Sequence, residues 1–319
     1  MPCRLVRGHQ RERAPAMLET GTSALGTRAE KHGGRPFLGK AASIHAPGLQ
    51  QLAPGLVLLF PSPITDFTMN TNHQPVDNSR RLWNTRYGVM AAMNQDNPIV
   101  QSLRQYGEWI EQELDILGSF LQEGQVVVEF GGEYAAHALW LAKAVGDQGR
   151  VIVAEPRRIE FQQLCANLAL NGLGNVHAEA MWLGRQSGFT SLGELFPESS
   201  ASQTERVRTS TLDEQALDEL HLLKINLPGA AAALLAGAHE TVRRCRPIIY
   251  LRLASIGQAV TDISALKELG YRCWSHLPFM FNKDNFAGST DNNFPGCVHQ
   301  NIIAAPIEGR QDFDRLQEI

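Results

Sequence analysis

The chain reads as an α/β protein built on a doubly wound, mostly parallel sheet of seven strands with an N-terminal helical lead-in. Three observations predict it. Apolar runs of strand length alternate with amphipathic runs of helix length across residues 122–306, a pattern that gives parallel strands with helices on both faces. The first such strand, QVVVEF, ends in Gly131-Gly132 before a helical stretch. The second, RVIVAEP, ends in Glu155, about two dozen residues further on, where an acid can face a ribose.

The elements follow in order. Ile99–Leu121 (IVQSLRQYGEWIEQELDILGSFL) places apolar residues at helical spacing with acids on the other face, predicting one or two helices that lead into the sheet. Strands are expected near 125–130, 150–154, 175–181, 221–226, 247–253, 271–274 and 299–305. Helices are expected near 133–145, 157–171, 229–243 and 260–269. Residues 185–210 are polar and turn-rich and predict an excursion over the carboxyl edge of the sheet, where ligands of such folds bind. The alanine run after Pro228 fits a buried helix packed through small side chains.

The whole chain narrows the function. It has 319 residues, 43% of them apolar and 19% charged, enough for a packed core. The formal net charge is −4, and residues 69–319 carry 21 Lys+Arg against 29 Asp+Glu. An acidic body lacks the basic footprint that a phosphate backbone requires, so no nucleic-acid partner is expected. No run reaches the ~20 apolar residues of a membrane span. Five widely spaced cysteines do not form a disulfide framework, and a cytoplasmic protein is expected.

Residues 1–68 differ from the rest, being rich in Gly, Pro, Arg and Ala without a sustained period. They read as a disordered or non-native extension, with Met69 as the start. Glu12, Glu19 and Glu30 weigh against a transit peptide. The domain division is therefore 1–68 extension, 69–121 lead-in, 122–306 α/β domain and 307–319 tail.

The turn Glu129-Phe130-Gly131-Gly132-Glu133-Tyr134-Ala135 offers backbone approach at its glycines and free N–H groups at the helix that follows. With Glu155 it points to a nucleoside cofactor. The bland reading of each part is a tight strand–helix turn and an acid that caps the next helix. Charge sign separates the candidates. A carboxylate at the helix start repels a pyrophosphate, whereas Glu129 can pair with the amino group of a methionine moiety. S-adenosylmethionine is expected over a nicotinamide dinucleotide.

Four segments carry a specific resemblance: GDQGRVIVAEPRRIEFQQLCANLALNGLGNV, TLDE at 211–214, LLKINLPGAAAALLAGAHETVRRCRPIIYL, and LGYRCWSHLPFMFNKDNFAGSTDNNFPGCVHQNI. The chain resembles the FkbM-type S-adenosylmethionine-dependent methyltransferases from about Arg86 to Pro306. The resemblance implies a methyltransferase-type Rossmann-like sheet, S-adenosylmethionine as cofactor, and methyl transfer to an oxygen of a small molecule or glycan. It assigns Glu129 to the methionine amine, Gly131 and Gly132 to backbone approach, and Glu155, followed by Pro156, to the ribose. It sets Glu133 beside the ligand's carboxylate and Ala180-Met181 beside the adenine. Lys224 and Asn226 are the polar candidates for catalysis. His276, Asn282, Asp284 and Asn285 match the family's tail and are expected in a substrate-side lid.

The resemblance also shows departures. The first family motif, D-x-G-A-N-x-G, is here Glu129-Phe130-Gly131-Gly132-Glu133-Tyr134-Ala135. The fourth-strand motif K-I-D-x-E-G is Lys224-Ile225-Asn226-Leu227-Pro228-Gly229, without its acids. The fifth strand ends in Arg252-Leu253-Ala254, where the family places polar and acidic residues. Asparagine keeps a hydrogen bond but is no base. Three changed strand ends at one cleft motivate a second reading, a methyltransferase-like protein that serves as a binding or interaction module. Cys273, His276, Cys297 and His299 nominally supply four zinc ligands, but the C-x-H spacing is too tight for a zinc knuckle, and no metal is expected.

Overall fold

The structure, a computed structural model, describes residues 81–93, 95–197, 204–313 and 315–319. The extension 1–68 lies outside them.

The described chain opens on a β-hairpin, β1 (Leu82–Thr85) and β2 (Gly88–Ala91), where the sequence suggested only helix. The Thr85 hydroxyl closes the turn by donating to the Gly88 carbonyl at 2.7 Å. Two helices follow, α1 (Pro98–Tyr106) and α2 (Glu111–Gly118). Asn97 caps α1 by accepting from Val100 N–H, Pro98 suits its first turn, and Gly107 ends it in the left-handed conformation.

The strand and helix alternation then runs β3 (Val126–Phe130), a one-turn 3-10 helix (Glu133–Ala135), α3 (Ala136–Val145), β4 (Arg150–Ala154), α4 (Arg158–Leu170) and β5 (Val176–Glu179). The expected excursion forms a separate three-stranded sheet: β6 (Trp182–Leu183), β7 (Gly188–Ser191), the short α5 (Leu192–Leu195) and β8 (Arg206–Ser210). The main sheet resumes with β9 (Leu222–Ile225), α6 (Ala231–Ala236), α7 (His239–Cys245), β10 (Ile248–Arg252), α8 (Ile256–Glu268), β11 (Tyr271–His276), β12 (Asn301–Pro306) and β13 (Gln317–Glu318).

Strand order in the main sheet is β13-β11-β12-β10-β9-β3-β4-β5. The strands from β10 through β5 pair parallel, and β12 lies antiparallel between β10 and β11. The sheet thus has eight strands, not seven. The additional one comes from the tail, which adds β13 to the free edge of β11 and buries Phe313 against Trp274. One core joins the face that carries Tyr250 and Trp274 to α2, α3 and α4; the other joins the Ile249 and Cys273 face to α6, α7 and α8.

The helix expected over 229–243 is two. A Cβ at Gly237 would stand 2.0 Å from the Gly184 carbonyl oxygen, so the chain breaks where it passes closest to the β6 region. The helix expected from 133 starts at 136, because Glu133, Tyr134 and Ala135 have φ of 41°, 63° and 75°. Three successive left-handed residues without glycine are costly and need support. Asn167 of α4 supplies part of it, donating to the Tyr134 carbonyl at 2.7 Å while accepting from Ala91 N–H of the hairpin at 2.7 Å.

Candidate functional site

Strand register places the polar residues in two rows on the α2–α3 face, at the carboxyl ends of the central strands. Glu129, Lys224 and Tyr250 are direct neighbours across β3, β9 and β10. One step higher stand Asn226, Arg252, Asn301 and His276, the last three being register partners. The lead-in closes over both rows. Glu113 of α2 is fully buried between Lys224 (3.1 Å), Arg252 (3.3 Å) and the Asn301 amide (2.8 Å). Here the sequence expectation fails, because Glu113 lies on the inward stripe of α2 beside Leu114 and Leu117.

The changed positions satisfy one another. Glu133 is paired with the Arg252 guanidinium and accepts from Trp109 Nε1 at 2.9 Å. Those contacts hold the left-handed turn in place and aim Glu133 into the protein instead of toward a ligand's carboxylate. Asn226 donates to Glu129 and to the Gly131 carbonyl, both at 2.8 Å, and accepts from Lys224. Lys224 and Asn226 are both buried, and their polar atoms are taken up by these partners. Neither is free to receive a proton from an acceptor.

Three buried carboxyls thus face two cations. Burial works to raise the Glu133 carboxyl, but Arg252 and Lys224 outweigh it and bring it down to about 2. Glu113 is likewise held well below the usual range against its burial by Lys224 and Arg252. Glu129 keeps the weakest support, with Lys224 at 3.6 Å and one oxygen unpartnered, and burial pushes it up to about 7. Burial, then Lys224, lowers His137 to about 4 and keeps it neutral.

The cofactor side of the cleft is occupied as well. Glu155 ends β4 beside the glycine turn, as expected, with Oε2 accepting from Gly132 N–H at 3.0 Å. Its remaining capacity goes to Arg157, which donates from Nε and from backbone N–H to Oε1 and from Nη2 to Oε2. A Cβ at Gly131 would stand 2.8 Å from Leu227 Cγ, and one at Gly132 would stand 2.9 Å from Val153 Cγ1. The glycines serve close packing of the protein on itself. Ala180 is exposed; Met181 is buried beside a cavity of ≈ 10 Å³ that it lines with Glu179 and Leu212. In this arrangement the Glu155 carboxylate, expected at the ribose, is bonded on both oxygens by the protein itself, whereas Glu129, expected at the methionine amine, keeps one oxygen without a partner among the described residues.

Of the tail residues, Asn282, Asp284 and Asn285 are placed apart from the strand-end rows, whereas His276 stands in the upper one. Asn282 donates to Glu108 and accepts from Asp284 N–H; Asn285 bonds Asn282 O and Ser289 O and N–H. Asp284 is exposed. His276 reaches Tyr250 OH through Nδ1 at 2.7 Å. The Asn282–Glu108 bond fastens the loop to the corner between α1 and α2. Cys273 packs in the core on one face of β11, whereas His276 belongs to the other. Among the described residues no group of three or more His, Cys, Asp or Glu is placed to hold a metal ion. The site residues that the sequence reading did not single out are Glu113, Trp109, Arg157, Tyr250 and Asn301. Only Arg157 carried a signal, as a charge directly after the Glu155-Pro156 strand end.

The order of the main sheet, with one antiparallel strand inserted near its edge, and the Glu155–Gly132 contact define an α/β protein of methyltransferase type. Residues 125–273 match the methyltransferase FkbM domain. No curated protein matches the chain. Among solved structures it is similar to the methyltransferase FkbM from Methylobacillus flagellatus, with 13% identity and a TM-score of 0.41 over 66% of this chain and 55% of that one. It is also similar to a precorrin-6y C5,15-methyltransferase from Geobacter metallireducens (12% identity, TM-score 0.43, 61% of this chain and 87% of that one). A S-adenosylmethionine-dependent O-methyltransferase from Thermotoga maritima gives 14% identity and a TM-score of 0.41 over 73% and 88%.

Proposed function

We propose that the chain uses the methyltransferase fold as a binding or interaction module, with its cofactor groove closed by its own side chains. The observation that carries this is Glu155. Both of its oxygens are engaged by Arg157 and the Gly132 amide, so a ribose must displace a bidentate, charge-assisted pair. The changed pair Glu133–Arg252, and the changed Asn226 held by the retained Lys224, support the same reading, since they turn a polar cleft into a packed one.

A second reading is favoured by the place of Glu155 itself, at the end of β4 on the glycine turn. Under it the chain binds S-adenosylmethionine and methylates an oxygen of a small molecule or glycan. The cofactor supplies an electrophilic methyl; positioning of the acceptor would fall to this chain's residues, because neither Asn226 nor Lys224 is placed as a base. We assign the protein to the cytoplasm on the unpaired state of Cys165, Cys245, Cys273 and Cys297; among the described residues no helix is long and apolar enough to cross a membrane.

Calorimetric titration with S-adenosylmethionine and S-adenosylhomocysteine separates the two, with Glu155→Ala as control. The module reading expects no saturable heat at ligand concentrations of about 1 mM, which is roughly −4 kcal/mol of binding free energy. Saturable binding that Glu155→Ala abolishes would establish the second reading instead.

A further inference from the structure

We infer that two side chains, Arg157 and Leu227, are what keeps an adenosyl ligand out, and that shortening both reopens the groove. This rests on the module reading above. Arg157 stands directly before α4 and folds back onto Glu155, with Nε–Oε1 and Nη2–Oε2 both at 2.8 Å. It fills the hydrogen-bonding directions that a pair of ribose hydroxyls would use, and it does so with charge, which neutral hydroxyls do not match. Its guanidinium is braced by the Phe196 ring at 5.7 Å; Phe196 packs on Trp182, and Trp182 on Phe130 at the end of β3. This row runs from Arg157, after the end of β4, to Phe130 at the end of β3.

Leu227 closes the floor. It follows Asn226 at the end of β9 and places Cγ and Cδ2 at 2.8 and 3.0 Å from the position of a Gly131 Cβ. The room that the glycine leaves for a ligand is the room that Leu227 takes. Neither residue lies within a strand or a helix, so truncation leaves the hydrogen-bonded sheet intact. The Arg157 side chain is 27% exposed, so the space its removal leaves is open to solvent at its outer edge.

The test titrates S-adenosylhomocysteine into the full chain, as wild type, Arg157→Ala, Leu227→Ala, the double variant, and the double variant carrying Glu155→Ala. Circular dichroism and melting confirm folding. The double variant is expected to bind at least about 100-fold more tightly than the wild-type detection limit, and Glu155→Ala on that background is expected to remove the gain. A folded double variant that gives no heat overturns the inference and leaves the module reading standing. Saturable binding by the wild type overturns both. If the double variant does not fold, Arg157→Ala alone decides, through a gain of at least about tenfold in affinity or its absence.

Discussion

Glu129 is the carboxyl with the fewest donors in the strand-end cluster. One oxygen accepts from Asn226 and the other has no partner. Its folded value of about 7 lies above the ordinary 4.5, so folding favours the protonated form. The stability this contributes is complete below about pH 4.5, declines as pH rises toward 7, and is gone above it. Glu129→Gln keeps the hydrogen bond and removes the titration. It is expected to be more stable than wild type by about 1–3 kcal/mol at pH 8 and equal to it near pH 4. Urea denaturation across pH 4–8.5 reads this directly, and an unchanged slope in the variant would assign it elsewhere. Glu133 has the opposite sign: its contribution is present above 4.5 and lost as pH falls through about 2. Asp262 of α8 is a simpler case, buried with neither oxygen partnered among the described residues and its carboxyl raised by burial. Asp262→Ala is expected to raise stability at pH 7 by roughly 1–2 kcal/mol, an advantage that shrinks in acid as the wild-type carboxyl protonates. A melting temperature lower than wild type at neutral pH would contradict it.

At the scale of elements, strands were the most legible. VVVEF, RVIVA, LLKI and IIYLR are short apolar runs with turns at both ends, and each is the strand expected within one or two residues. The hairpin at 82–91 was not legible. LWNTRYGVMA has little alternation, and what holds it is distant: Asn167 of α4 and Asn171, which caps that helix, bond its backbone. The loop 277–300 was legible as a polar, aromatic segment, but not in its role. An asparagine that binds a ligand and one that satisfies a loop look alike in sequence. Three of its ties converge on Glu108 or Tyr106: Phe286 N–H and Asn282 donate to the Glu108 carboxylate, and Asn293 N–H donates to the Tyr106 hydroxyl. Glu108 is buried, with Arg86 on its other side. Glu108→Ala is therefore expected to raise hydrogen exchange of amides 282–294 by about tenfold or more, with β3, β9 and β10 unchanged, because one lost buried acceptor costs about 1–3 kcal/mol locally. Uniform loss of protection across the sheet would show that the loop and the core open together.

Across the whole molecule, the fold was readable because its signals are local, whereas the state of the cleft is a property of combinations. Read singly, Glu133, Asn226 and Arg252 are departures from a family motif; the structure pairs Glu133 with Arg252 and Asn226 with Glu129, each across more than ninety residues of sequence, and Glu113 from the lead-in seals the cluster. Sequence position gave no hint that α2 supplies the central acid. That arrangement predicts strong coupling. Arg252→Met leaves Glu133 and Glu113 buried without their guanidinium, and is expected to cost roughly 3–5 kcal/mol. Glu133→Gln removes the carboxylate that Arg252 meets most closely while Trp109 keeps an acceptor. Combined, the two changes delete a charge pair instead of orphaning one member, so the double variant should be less destabilised than the sum of the singles by at least about 1.5 kcal/mol. Denaturant midpoints of the four proteins at pH 7 close the cycle. Additive effects within about 0.5 kcal/mol would mean that the two positions act independently, and the cleft would then hold two separate losses instead of one exchanged network.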